Sequence, residues 1–145
     1  MSNGNPPQSI TEYGSPLSLA KARLLAQAAE AEASRNGWAM VIAIVDSASQ
    51  LVLVHRMDQA QYGSIAVAQA KAKSALDFKR PTKIFEDAVA QGGIGLRMLG
   101  VEVCPLEGGM PILEEGKIIG AIGISGALSH QDGAVATAAL LALNH

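Results

Sequence analysis

Eight consecutive residues, Ala39 to Asp46 (AMVIAIVD), are apolar up to the final aspartate and rich in Val and Ile. A run of this kind reads as a central strand buried on both faces. Ser47 to Gln50 forms a turn, and Leu51 to Met57 (LVLVHRM) supplies a second strand. Period-two alternation places Leu51, Leu53, His55 and Met57 on one face and Val52, Val54 and Arg56 on the other. The short connection predicts an antiparallel hairpin. A second hairpin is expected from Met110 to Glu114 and Lys117 to Ser125, around Glu115-Gly116.

Helical periods fill the rest. Ser18 is suited to cap a helix from Leu19 to Arg35, with Leu24, Leu25, Ala28, Ala29 and Ala31 on the apolar stripe and Arg23, Gln27 and Glu30 facing away. Gly37 fits the left-handed position after it. A second helix is expected over 65–78, capped by Ser64, with Lys71 at the flank of its buried face. Pro81 stops it. Thr82 caps a short third helix to about Ala90, ended by Gly92-Gly93. Residues 94–109 read as irregular, with a short strand near Leu96 to Leu99. A last helix runs from about Gln131 to Leu143, with Ser129-x-x-Asp132 as a capping box. Residues 1–16 contain Pro6, Pro7 and Pro16 and read as a flexible or extended arm. Residues 17–145 make one domain, an antiparallel sheet covered by helices, of the α+β class.

Composition says how such layers must pack. Alanine and glycine account for 25 and 15 of 145 residues, and aromatics for only 3%. Helices this thin are expected to approach the sheet, or a second subunit, closely. The hydrophobic fraction of 49% and net charge of -2 exclude a disordered chain. No apolar run approaches the roughly 18 residues of a membrane helix. The polar N-terminus lacks a signal pattern, so a cytoplasmic location is expected. Cys104 alone makes neither an internal disulfide nor a cysteine metal site. With no basic block and few aromatics, nucleic acid is not an expected partner.

Chemistry is carried by few residues. His55, His130 and His145 lack metal-site spacing; His55 reads first as a half-buried strand histidine, and otherwise as a single haem axial ligand or proton carrier. Arg56, Lys71 and Arg80 are available as a basic rim for a carboxylate or phosphate. Asp46, Asp58 and Glu107 are acid/base candidates, and the turn from Gly123 through Ser125 to Gly126 is a candidate anion site before a helix.

Four segments in order carry a resemblance. They are Val45-Asp46 with His55-Arg56-Met57-Asp58; Lys71-Ala72 with Phe78 and Arg80-Pro81-Thr82; Glu107-Gly108-Gly109-Met110-Pro111-Ile112; and Gly120-Ala121-Ile122-Gly123-Ile124-Ser125-Gly126 with Gln131-Asp132. Together they resemble the GlcG/HbpS haem-binding family, which includes the C-terminal domain of PduO-type adenosyltransferases and proteins encoded with glycerol or diol fermentation genes. The resemblance covers about Leu17 to Leu143. Ser49 and Gln59 depart from it, standing where the family usually has glycine.

The resemblance implies a profilin-like α-β-α sandwich and a homo-oligomer, a dimer or larger ring. It also implies a haem or corrinoid ligand, with a role in storage, sensing or support of a cobalamin-dependent pathway. The candidate ligand-binding residues in this sequence are His55, Arg56, Met57, Asp58, Lys71, Arg80, Glu107, Ser125 and Gly126, with His55 and His130 as candidate axial ligands. Two other readings stand beside it: a small-molecule enzyme or acid-binding protein of glycerol, diol or glycolate metabolism, and a structural assembly module without ligand.

Overall fold

The computed structural model describes residues 10–144. Helix α1 (Leu19–Arg35) leads into strands β1 (Val41–Asp46) and β2 (Leu51–Arg56). Helices α2 (Gly63–Asp77) and α3 (Lys83–Gln91) follow, then a 3-10 segment (Gly93–Gly100). Strands β3 (Gly109–Glu114) and β4 (Lys117–Ser125) precede the last helix, α4 (Ser129–Leu143). The strands form one antiparallel sheet in the order β2-β1-β4-β3. The two hairpins therefore join through β1 and β4, and the expected α+β architecture is present.

β1 is central, and all of Val41 to Val45 is buried. Its alternate residues feed two cores. Ile42 and Ile44 join Ile122, Ile124 and the alanine faces of α1 and α4. Val41, Ala43 and Val45 meet Ala68, Ala72, Ala75 and Leu76 of α2 on the opposite side. Helices thus cover both faces, as a strand apolar on both sides requires.

The closeness of α2 to the sheet comes from paired small residues. A Cβ on Gly123 of β4 would stand 2.6 Å from the Ala72 amide nitrogen. Ala72 itself is fully buried. Ala72→Leu should therefore overpack this layer and cost about 1–3 kcal/mol. The urea midpoint should fall accordingly; an unchanged midpoint would contradict the close-packed layer.

Several local expectations change. On α1 the buried face is Ala22, Leu25, Ala26, Ala29 and Ala33, while Leu24 is 57% exposed. The Ser18 cap is present, its hydroxyl accepting from the Lys21 amide at 3.1 Å. Ser64 does not cap α2; it is buried against Ser125. Thr82 does not cap α3 through its side chain; its Oγ1 accepts the Gly109 amide at 2.9 Å, pinning β3 to α3. The expected strand at Leu96 to Leu99 is part of a 3-10 segment; Gly92 and Gly93 hold positive φ where it begins, and a Cβ on Gly95 would collide with the Ala88 carbonyl.

Part of the N-terminal arm lies along its own sheet. Gly14 and Leu17 donate backbone hydrogen bonds to Ile118 and Ile119 of β4, and the Tyr13 hydroxyl donates to the Leu76 carbonyl at 2.7 Å. The earlier part of the arm, residues 1–9, lies outside the described residues.

Candidate functional site

One end of the sheet gathers most of the residues singled out above. Val41, at the start of β1, pairs with both Arg56 and Ser125, so β2 and β4 end where β1 begins. The segment after β2 turns sharply there. Its residues 56–62 line an open cavity of about 620 Å³, within the usual size range of small-molecule sites. The Arg56 guanidinium lies 5.6 Å from the centre of the Tyr62 ring. Ser125 Oγ lies 3.1 Å from Ser64 Oγ, which in turn accepts from Gln61 Nε2 at 3.0 Å. A polar chain thus runs from β4 to the rim of the cavity.

His55 precedes Arg56 and points to the other face. It pairs with Ile42, in the layer covered by α1. Its Nδ1 lies 3.0 Å from Glu30 Oε1. Glu30 was expected to face away from the protein; it instead holds an imidazole on the edge strand. The half-buried Leu53 and Met57 share this face. Met57 also lines the cavity, so it joins the two surfaces.

The expected basic rim does not form. Lys71 is 1% exposed, not at a flank. Its ammonium donates to the Ile124 carbonyl at 2.8 Å and to Asp132 Oδ2 at 2.9 Å. Arg80 is exposed and donates from Nε to the Phe78 carbonyl. Arg56 stays with Tyr62. A buried ammonium needs its carboxylate and carbonyl, so Lys71 is committed to holding α2, β4 and α4 together.

The turn after β4 is likewise already satisfied. Asp132 Oδ1 accepts the Ala127 amide at 3.0 Å, and Gln131 Oε1 accepts the Leu128 amide. The chain's own carboxylate therefore takes the place expected for an outside anion beside Ser125 and Gly126. Gly126 is needed for close approach, because a Cβ there would stand 2.5 Å from the Ala39 carbonyl oxygen at a φ of +153°.

Burial pushes the Asp132 carboxyl above the ordinary aspartate value, and the Lys71 ammonium and neighbouring amides pull it only part of the way back. The folded state then keeps a proton that the unfolded state has released. Stability from this group is present below the ordinary aspartate pKa and declines as pH rises through the raised one. Urea midpoints measured across that acidic window should show this slope in the wild type, and Asp132→Asn should lack it.

The remaining residues are scattered. Asp46 Oδ1 accepts the Ala48 and Gln50 amides and so builds the first hairpin turn, a structural task in place of acid/base work. Asp58 is exposed on the cavity lip. His130 is exposed on the first turn of α4. His145 lies outside the described residues. Glu107 faces a separate, smaller pocket beside α4. Among the described residues no three His, Cys, Asp or Glu side chains gather as a metal site. No described helix is long and apolar enough to cross a membrane.

Read from sequence alone, Glu30, Tyr62 and Ser64 have no place in the site: Glu30 reads there as facing away and Ser64 as a helix cap. Glu30 sits 25 residues from His55, and only the fold brings them together. The two departures from the family pattern have a clear location. Ser49 and Gln59 both adopt positive φ, 65° and 71°, a region glycine enters without steric cost.

Residues 17–141 match the family model described as haem degrading protein HbpS-like. The chain is 35% identical over 127 residues to an uncharacterised 15.0 kDa protein of Citrobacter freundii from a dhaT-dhaS intergenic region, covering 86% of this chain and 89% of that one. It is 35% identical over 109 residues to protein GlcG of Escherichia coli K12, covering 75% and 81%. A crystal structure of a PduOC–haem complex superimposes with a TM-score of 0.80 at 31% identity, covering 89% of this chain and 96% of that one. Match and superposition both span the sheet and the helices on each of its faces, so the chain belongs to the haem degrading protein HbpS-like family.

Proposed function

We propose that the protein binds haem or a related tetrapyrrole at the free edge of β2, with His55 as the axial ligand. The observation that carries this reading is the His55–Glu30 pair. A carboxylate that accepts from Nδ1–H fixes the tautomer and leaves the Nε2 lone pair available for a metal. Bound haem would supply a redox-active iron; the chain's part is to hold and orient it.

The donor set fits such a group. Leu53 and Met57 offer apolar surface beside the imidazole on the α1 side. Arg56, on the neighbouring face, offers a planar donor fork suited to a propionate. The haem complex of a structural relative supports the ligand class. We place the protein in storage, sensing or support of a cobalamin-dependent pathway, because the related PduO-type domain is joined to an adenosyltransferase. A cytoplasmic homo-oligomer completes this reading. Exposed Ile94, Leu96 and Leu99 on the 3-10 segment offer a surface for self-association.

Titration with haemin tests the ligand. A saturable Soret shift is expected. Glu30→Gln keeps the side chain's shape but weakens its hold on the imidazole, and should lower affinity about 10–100-fold. A wild-type titration that never saturates would overturn the proposal.

A further inference from the structure

β2 is an edge strand of the sheet, with β1 on one side of it and no strand on the other among the described residues. His55 and Arg56 are successive residues on β2, so their side chains leave opposite faces. His55 stands on the α1 side, against Glu30. Arg56 stands at the cavity of residues 56–62. Because β2 has a free edge, one ligand lying across that edge can reach both. Met57, which packs against the α1-side core and also lines the cavity, lies on that route.

Charge at the cavity is sparse. Arg56 is its only lining cation and Asp58 its only lining anion. Both residues are exposed. Neither enters an ion pair among the described residues, whose lysines and other partners are engaged elsewhere. The Arg56 guanidinium lies 5.6 Å from the centre of the Tyr62 ring. The ring attracts the cation without using its N–H groups. Among the described residues no hydrogen-bond acceptor engages those groups.

An arginine held in this way sorts ligand side chains by charge. A carboxylate accepts two parallel N–H bonds from the fork, and such charge-assisted bonds are roughly twice as strong as neutral ones. An amide or ester offers only a neutral carbonyl. Gln59 also lines the cavity, but its amide both donates and accepts and so favours neither kind. Asp58 opposes a second carboxylate at the same lip.

We propose that Arg56 determines specificity: it selects tetrapyrroles that carry a free propionate, as haem does, over those whose acid side chains are blocked as amides, as in corrinoids. This rests on the haem reading above and narrows its ligand class. Tyr62 positions the guanidinium, and Asp58 limits the contact to one carboxylate.

Parallel titrations of the full chain with haemin, haemin dimethyl ester and hydroxocobalamin, in one solvent and read by absorbance, test this. The ester keeps the ring and iron of haemin and blocks both carboxylates. It should bind about tenfold more weakly than haemin, the effect of losing one charge-assisted bond. Hydroxocobalamin should bind at least as weakly as the ester. Arg56→Gln should weaken haemin by a similar factor and leave the ester unchanged, whereas a variant that only disturbed the loop would weaken both alike. Asp58→Asn should strengthen haemin. Added salt should erode the preference for haemin over its ester, because the pair is exposed. Equal wild-type affinity for haemin and its ester, equal weakening of both in Arg56→Gln, or hydroxocobalamin binding as tight as haemin would overturn the proposal and leave the haem reading standing. A wild type that never saturates with haemin would overturn both.

Discussion

Lys71→Met is expected to destabilise the protein by about 3–5 kcal/mol, the range seen when one partner of a buried ion pair is removed. The methionine keeps most of the volume, so the loss isolates the charge. Lys71 and Asp132 have side chains only 2% and 4% exposed. Without the ammonium, Asp132 keeps the Ala127 amide but loses its counter-charge, and the Ile124 carbonyl loses its donor. Adding Asp132→Asn should recover part of the loss, because the amide oxygen can still accept from Ala127 while no charge is stranded. A urea-denaturation cycle of the two single variants and the double variant reads the coupling. Strictly additive losses would mean that the pair does not act as a unit.

Gly123→Ala should be nearly as severe, at about 3 kcal/mol, the upper part of the usual overpacking range. The new methyl would press on the Ala68 carbonyl and the Ala72 amide, which are helix backbone. Flexible side chains could rotate away; a hydrogen-bonded helix must shift as a body. Displacement of α2 would also draw Lys71 from Asp132, so this variant should lose cooperativity as well as midpoint. The comparison variant Gly116→Ala meets no atom within 4 Å, but Gly116 has a φ of +76°. Its cost is backbone strain alone, about 1–2 kcal/mol. If Gly123→Ala were as mild, the tight α2–sheet layer would be disproved.

The strands were readable because their signals are local. Alternation in Leu51 to Met57 and the Glu115-Gly116 turn specify pairing within a few residues of chain. Both turn residues adopt positive φ, 51° and 76°, as a tight hairpin requires. Helix α1 was located well, but its buried face was misjudged. Alanine contrasts little with its neighbours, so Leu24 outweighed Ala22 and Ala33 in the pattern while the fold buried the alanines.

The site was less legible, and for a different reason. Lys71 looked like a flank residue because its partner lies 61 positions away on α4. The turn at Ser125 and Gly126 looked like an anion site, and it is one, but Asp132 of the same chain fills it. His55 was visible as a strand residue, whereas its orienting carboxylate depended on how α1 crosses β2. Long-range charge pairing has no local signature, so sequence supplied the residue types and the fold decided which of them are occupied.

Haem ligation through His55 at the edge of β2, as proposed, has a direct test. Haemin titration of wild type, His55→Ala and His130→Ala, read at the Soret band, tests it most directly. A saturable shift is expected in the wild type, the same shift in His130→Ala, and loss or spectral change of that shift in His55→Ala. A His55→Ala spectrum and affinity indistinguishable from wild type would contradict it.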